Sequence, residues 1–203
     1  MSAGPETDAD RRFPEAIRTG EDGVVRCAWS GSDPEYQRYH DEEWGTVQRD
    51  PLRLFEKLNL EAFQSGLSWI TILKRREGFR RAFHGFDPER VAAMDAGDVE
   101  RLMGDTGIIR NRRKIEATIA NARAYLELDV PLDELMWSFA PEPRSRAPRG
   151  FGEVPASTPE STALSAELRR RGFRFVGPTT MYALMQSAGM VDDHVEGCFR
   201  AVA

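Results

Sequence analysis

Only two cysteines and three histidines occur in the 203 residues, and four of these five fall into two pairs, Cys27-x12-His40 near the start and His194-x3-Cys198 near the end. The second spacing predicts both side chains on one face of a helical turn. Two thiolates and two neutral imidazoles satisfy a tetrahedral zinc ion with no net charge, and a filled shell of four leaves no position for a reactive water, so such a site is structural. The alternative is two buried cysteines and two histidines satisfied by hydrogen bonds. Residue type and spacing leave both open, since neither half is a standard finger. A metal shared by the two pairs would close a loop of most of the chain and contribute to folding.

A second constellation is aromatic. Trp29, Tyr36, Tyr39, Trp44 and Trp69 crowd a short stretch that holds three of the four tryptophans. Electron-rich ring faces are what an extruded nucleobase stacks on, and a cationic base gains further from such faces and from a nearby carboxylate. Glu61 is such a carboxylate, set between Leu58-Asn59-Leu60 and Ala62-Phe63 in an otherwise core-like run. A buried charge needs a partner, so a salt bridge or a helix cap is the competing account of Glu61, as ordinary core is of the aromatic rings.

These residues need elements to position them. Asp33-Pro34-Glu35 predicts a helix start, with Tyr36, Tyr39, His40 and Glu43 on one face. Leu52, Phe55, Leu58 and Phe63 predict a core helix from about Pro51 toward Gln64, interrupted at Ser65-Gly66, and a second helix from Trp69 to Phe83. Further starts fall at Asp87-Pro88-Glu89 and Asp95 to Asp98, and a long helix is expected from about Asn111 to Leu126. Ala140 to Thr158, rich in proline, predicts an exposed and mobile loop. Thr158-Pro159-Glu160 opens a helix that ends at Arg169-Arg170-Arg171-Gly172, a short hairpin follows over Phe173 to Gly177, and Pro178 opens a last helix to about Ala188. Few runs alternate as strands do, so the fold class is all-α.

With 40% hydrophobic and 30% charged residues, the chain has the profile of an ordinary soluble domain. Residues 1 to 24 are polar and predict a disordered tail ahead of a helical domain over 25 to 203. No run approaches the roughly 18 to 20 apolar residues of a membrane span, and the first 25 residues lack the apolar centre of a signal peptide, which predicts a cytoplasmic protein. The net charge of −5 argues against bulk coating of nucleic acid but not against a local basic face. Base gathers at Lys74-Arg75-Arg76, Arg80-Arg81, Arg110 to Lys114 and Arg169 to Arg174, while much of the acid lies in the tail.

The segments Cys27-Ala-Trp29, Asp33-Pro34-x-Tyr36-x-x-Tyr39-His40-Asp-x-Glu-Trp44-Gly45, Glu61-Ala-Phe-Gln64-Ser-Gly66-Leu67-Ser68-Trp69-Ile70 and Asp193-His194-x3-Cys198 resemble, in one colinear order over about residues 25 to 200, the type I DNA-3-methyladenine glycosylases of the helix-hairpin-helix superfamily. The resemblance implies a helical bundle whose terminal segments are joined by structural zinc on Cys27, His40, His194 and Cys198. It implies that Glu61, with Tyr36 or Tyr39, hydrogen-bonds the methylated adenine, that Trp69 stacks on it, and that Trp29 and Trp44 wall the pocket. Gln64, Gly66 and Leu67 would fill the gap left in the duplex, and the hairpin at Phe173, Val176 and Gly177 would offer backbone N–H groups to a phosphate. The implied partner is double-stranded DNA bearing alkylated bases, met by a monomer that cleaves the glycosidic bond with water and leaves the strand intact. Many members of the superfamily place a catalytic aspartate shortly after the second hairpin helix; Asp192 and Asp193 here adjoin His194 instead.

Overall fold

In the computed structural model, residues 15–202 are described, and among them ten α-helices account for most of the regular structure. By contacts the described residues fall into two compact units, one built from residues up to Val47 with Pro141–Ala156 and the segment from Gln186 onward, the other from Gln48–Ala140 and Ser157–Met185.

The first unit opens with two short antiparallel strands, β1 (Ile17–Thr19) and β2 (Val25–Cys27), in the register Ile17 to Cys27. Residues 15–24, expected to be disordered, therefore carry a strand and a turn; residues 1–14 of that tail lie outside the described residues. The cause is local: Val24 N–H donates to Asp22, and Arg26 forks onto Asp22 and Asp41. Asp33 then accepts from the N–H groups of Glu35 and Tyr36, and Pro34, which has no N–H to satisfy, begins α1 (Pro34–Glu42). The proline-rich segment after residue 140 has only a 3-10 turn at Phe151–Glu153, but it is tied down. Arg144 pairs with Asp193 at 2.8 Å, and Glu196 N–H donates to the Pro148 carbonyl at 2.7 Å.

In the second unit the same Asp-Pro start recurs where Asp50 caps α2 (Pro51–Gln64), the helix predicted from the apolar spacing. The expected helix from Trp69 to Phe83 is two helices, α3 (Trp69–Leu73) and α4 (Arg76–Ala82). At the break, Arg75 N–H bonds to Ile72 O, three residues back, and Arg75 leaves the helical region at φ −106°, ψ 3°. The redirected α4 passes so close to the later connection that holds Gly107 that a Cβ on Gly78 would run into the Gly107 carbonyl. Asp87 caps α5 (Pro88–Ala92), a capping box of Asp95 and Asp98 opens α6 (Ala96–Gly104), and Asn111 caps α7 (Arg112–Leu126).

Helix α7 packs against α2, α5 and α6, and the Phe63, Phe79, Phe83 and Phe86 rings form a chain through the core. Helix α8 (Leu132–Trp137) was not foreseen, although buried Leu132, Leu135 and Met136 have helical spacing; a single-turn pattern with no side-chain cap is a weak signal. A capping box of Thr158 and Ser161 opens α9 (Pro159–Arg170), and α10 (Pro178–Ser187) follows the loop that holds Phe173 to Gly177. No helix among the described residues is long and apolar enough to cross a membrane.

Candidate functional site

Strand β2 ends on Cys27 and α1 carries His40, so the predicted N-terminal pair is placed by two adjoining elements. Cys27, His40 and Cys198 are buried, with their sulfur and nitrogen atoms within 4.8 Å of one another; the three can hold a metal ion. His40 Nδ1 is 2.8 Å from Asp41 Oδ1, and with the proton on Nδ1 the Nε2 lone pair faces the sulfurs, where it accepts from Cys27 N–H at 3.3 Å and lies 3.4 Å from Cys198 Sγ. The hydrogen bond between the thiols pushes Cys27 far up, with burial adding to it, and draws Cys198 well down against its own burial, with His40 assisting. One thiolate is therefore already favoured, and a divalent cation would displace the proton that Cys27 retains.

His194 stands outside this group of three but beside it, its ring perpendicular to that of His40 with centroids 5.0 Å apart. Its Nδ1 is 2.7 Å from Asp192 Oδ1, and its Nε2 is buried with no hydrogen-bond partner among the described residues. An orphaned buried nitrogen costs roughly 1–3 kcal/mol, which a bound cation would relieve. Each imidazole thus has a carboxylate at Nδ1, which leaves Nε2 of His40 turned to the sulfurs and Nε2 of His194 without a partner among the described residues, and a carboxylate so placed orients metal-bound histidines. The donor set fits a metal ion, and the fit includes two groups that pairing of cysteines and histidines did not reveal, Asp41 and Asp192. Burial alone would raise both carboxyls, but hydrogen bonds from Arg26 and His40 in one case, and from the ring and backbone of His194 in the other, hold them below the usual carboxylate range.

The helical turn expected at His194 to Cys198 is absent. Cys198 N–H donates to Val195 O at 3.0 Å, and Gly197 takes the left-handed φ of 88°, so a tight turn brings Cys198 round to Cys27. Asp193 forms an ion pair with Arg144 and accepts from Gln186 Nε2, both at 2.8 Å, and so anchors the proline-rich segment, while Asp192 serves His194. Val195, Ala16, Ile17 and Phe151 give the two cysteines an apolar cover.

The aromatic constellation grows from the same helix. Trp29 packs against Tyr36 at 5.1 Å, Trp44 at 5.0 Å and Tyr39 at 6.4 Å between centroids, and Trp44 meets the His194 ring edge-on at 4.6 Å. Four of the predicted base-binding aromatics are thus one cluster, built directly on the imidazoles of the candidate metal centre. Tyr39 is buried, whereas Trp29, Tyr36 and Trp44 keep part of their surface open.

The second unit holds the remaining predicted residues. Glu61 is 3% exposed in the last turn of α2. Gln64 closes that helix, Gly66 takes φ 82°, Leu67 projects with 41% of its surface exposed, and half-buried Trp69 begins α3. At the hairpin, the Phe173 and Val176 side chains are buried anchors, so what these two positions can offer a ligand is backbone. The loop is held by side chains that the sequence did not single out. Asn121 accepts from Arg174 N–H at 2.7 Å and donates to Arg174 O and Asn59 Oδ1, Asn59 donates to Phe55 O, and the Ser165 hydroxyl donates to Val176 O at 2.6 Å. Both asparagines are fully buried, so this network fixes the hairpin to α2 and α7. Phe175, at its tip, is in the left-handed region at φ 56° and exposed.

The basic clusters are less free than their spacing suggests. Arg80 pairs with Glu56 and Glu77, Arg112 with Glu100, and Arg170 and Arg171 with Glu167.

Comparison with known proteins places these features in a lineage. The methyladenine glycosylase family model matches residues 29–201. The DNA-3-methyladenine glycosylase 1 of Escherichia coli (strain K12) is 51% identical over 179 residues, which cover 86% of this chain and 96% of that protein. A crystal structure of 3-methyladenine DNA glycosylase I superposes with a TM-score of 0.84 at 49% identity, covering 86% of this chain and 98% of the other. The Staphylococcus aureus 3-methyladenine DNA glycosylase I, in a structure concerned with 3-methyladenine recognition, gives a TM-score of 0.81 at 36% identity over 85% of this chain and 94% of its own. The chain belongs to the methyladenine glycosylase family.

Proposed function

We propose that this protein removes 3-methyladenine from alkylated DNA by hydrolysing the N-glycosidic bond. The observation that carries the reading is the 51% identity, over 86% of this chain and 96% of the other, to the E. coli protein named for that activity. The physical chemistry agrees. Methylation at N3 makes adenine cationic and a good leaving group, so binding and orientation matter more than acid catalysis. Open aromatic faces and a buried carboxylate are suited to a flat cation.

The roles of individual residues follow from the resemblance. Glu61 accepts from the base, with Tyr36 or Tyr39 as a further hydrogen-bonding group; Trp69 stacks on the ring, and Trp29 and Trp44 exclude water from its faces. Leu67, with Gln64 and Gly66, takes the place of the extruded nucleotide in the duplex, at an unstacking cost of a few kcal/mol that the base contacts offset. The hairpin residues Phe173, Val176 and Gly177 set backbone N–H groups and the start of α10 toward a phosphate. The metal is zinc, with His194 completing the set of Cys27, His40 and Cys198; bound there it supplies no chemistry to the base and braces α1 against the C-terminal segment. One chain carries every assigned residue, in keeping with action as a monomer.

No lysine is assigned to the reacting carbon, so water is the nucleophile. Duplex DNA treated with a methylating agent should gain abasic sites that break only after alkali. Strand breaks at neutral pH before alkali would contradict the single hydrolytic step, and an absence of alkali-labile sites would contradict the activity itself.

A further inference from the structure

Lys114 is 7% exposed, in the first turn of α7, and its ammonium donates to the carbonyls of Phe63 at 2.8 Å and Ser65 at 2.6 Å. Those carbonyls sit at the C-terminal end of α2, where the last C=O groups lack intrahelical partners and the helix dipole is negative. Ser65 leaves the helix with φ −45° and ψ 114°, Leu67 N–H closes back on Gln64 O at 2.6 Å, and Gly66 is left-handed. Two carbonyls held from one side fix the direction in which the chain leaves α2. Burial pushes the Lys114 ammonium below its ordinary pKa, so the charge is kept there against a real desolvation cost.

What leaves α2 at this point is the segment that carries Leu67 outward and begins α3 at Trp69, while Glu61 lies one turn earlier on α2. We propose that Lys114 is a positioning residue for base release: by clamping the Phe63 and Ser65 carbonyls it holds the Ser65–Ser68 turn in the form that lets Leu67 enter the duplex and sets Trp69 toward the extruded base. The proposal rests on the assignment of Leu67 and Trp69 above. Without the ammonium, two carbonyls lose their donor and the turn gains freedom at the one place where freedom misaligns both residues.

The test compares full-length wild type, Lys114→Met, Lys114→Arg and Leu67→Ala on three readouts. These are single-turnover release of 3-methyladenine, fluorescence of 2-aminopurine placed beside an abasic-site analogue in a duplex, and affinity for undamaged duplex. Lys114→Met should slow release about 10- to 100-fold, the range that a small misplacement of reacting groups produces. It should also lose the fluorescence rise that reports insertion, and keep its affinity for undamaged duplex. Lys114→Arg, which restores a forked donor, should recover most of both losses; it also serves as the informative variant if Lys114→Met does not fold. Folded Lys114→Met with wild-type release and fluorescence would overturn the proposal, as would equal losses in undamaged-duplex affinity. A Leu67→Ala variant with wild-type fluorescence would instead overturn the insertion assignment on which it rests.

Discussion

Glu61→Gln is expected to lower kcat/KM for release of 3-methyladenine by about 10- to 100-fold, because a hydrogen bond to a charged group contributes about 1.5–3 kcal/mol and 1.4 kcal/mol is tenfold. The loss should fall mainly in KM. While the glycosidic bond is intact the positive charge lies on the methylated ring, where a carboxylate attracts it, and as the bond breaks that charge passes to the sugar. A contact with the ring cation is therefore made in the bound substrate at least as strongly as in the transition state. The substitution keeps the side-chain shape but weakens the interaction that a carboxylate only 3% exposed holds with its surroundings, so the melting temperature should fall modestly while the protein stays folded. Steady-state kinetics on methylated DNA with a parallel melting curve checks both halves. Wild-type kcat/KM in the folded variant would remove Glu61 from base recognition.

Loss of the metal should have the largest effect on stability. Elemental analysis should find about one zinc per chain, and Cys198→Ser should abolish it, since Cys198 lies within 4.8 Å of both Cys27 and His40 at their ligand atoms. A ligand that binds only the native state contributes about 4 kcal/mol when free at a thousandfold over its Kd, and for a chain of this size each kcal/mol moves the melting temperature by about 2–4 °C. A fall of about 8–16 °C is expected on chelation. Base release should then fall as well, because Trp44 packs on His194 and Trp29 on His40, so the aromatic cluster leans on the ligands. A Cys198→Ser variant that kept its zinc and its melting temperature would refute the ligand set.

The residues that were legible in the sequence are those whose signal is local or rare. Asp33-Pro34, Asp50-Pro51 and Asp87-Pro88 mark helix starts because capping and the missing proline N–H act within one turn. The candidate metal ligands emerged because cysteine and histidine are so few. What stayed hidden depends on distant partners. Lys114 read as part of a basic run from Arg110, yet its neighbours are exposed while its own ammonium reaches carbonyls some fifty residues earlier. Asn59 and Asn121, 62 residues apart, carry no local signal, and only the fold brings their side chains together under the hairpin. The turn at His194 to Cys198 was misread because an i, i+4 spacing suits a helix, whereas Gly197 at φ 88° and the hold of Asp192 on His194 decide otherwise. Asp41 could have been suspected from its place beside His40, since a ligating imidazole commonly gives its other nitrogen to a carboxylate.

The central claim is the excision of 3-methyladenine, and the most direct measurement is chromatography of the free bases released when the full-length protein is incubated with duplex DNA treated with dimethyl sulfate. The account predicts that 3-methyladenine appears in the soluble fraction at a rate proportional to enzyme and above its release from the same DNA without enzyme. Release of no methylated base by the folded, metal-loaded protein, or release of 7-methylguanine in preference to 3-methyladenine, would contradict it.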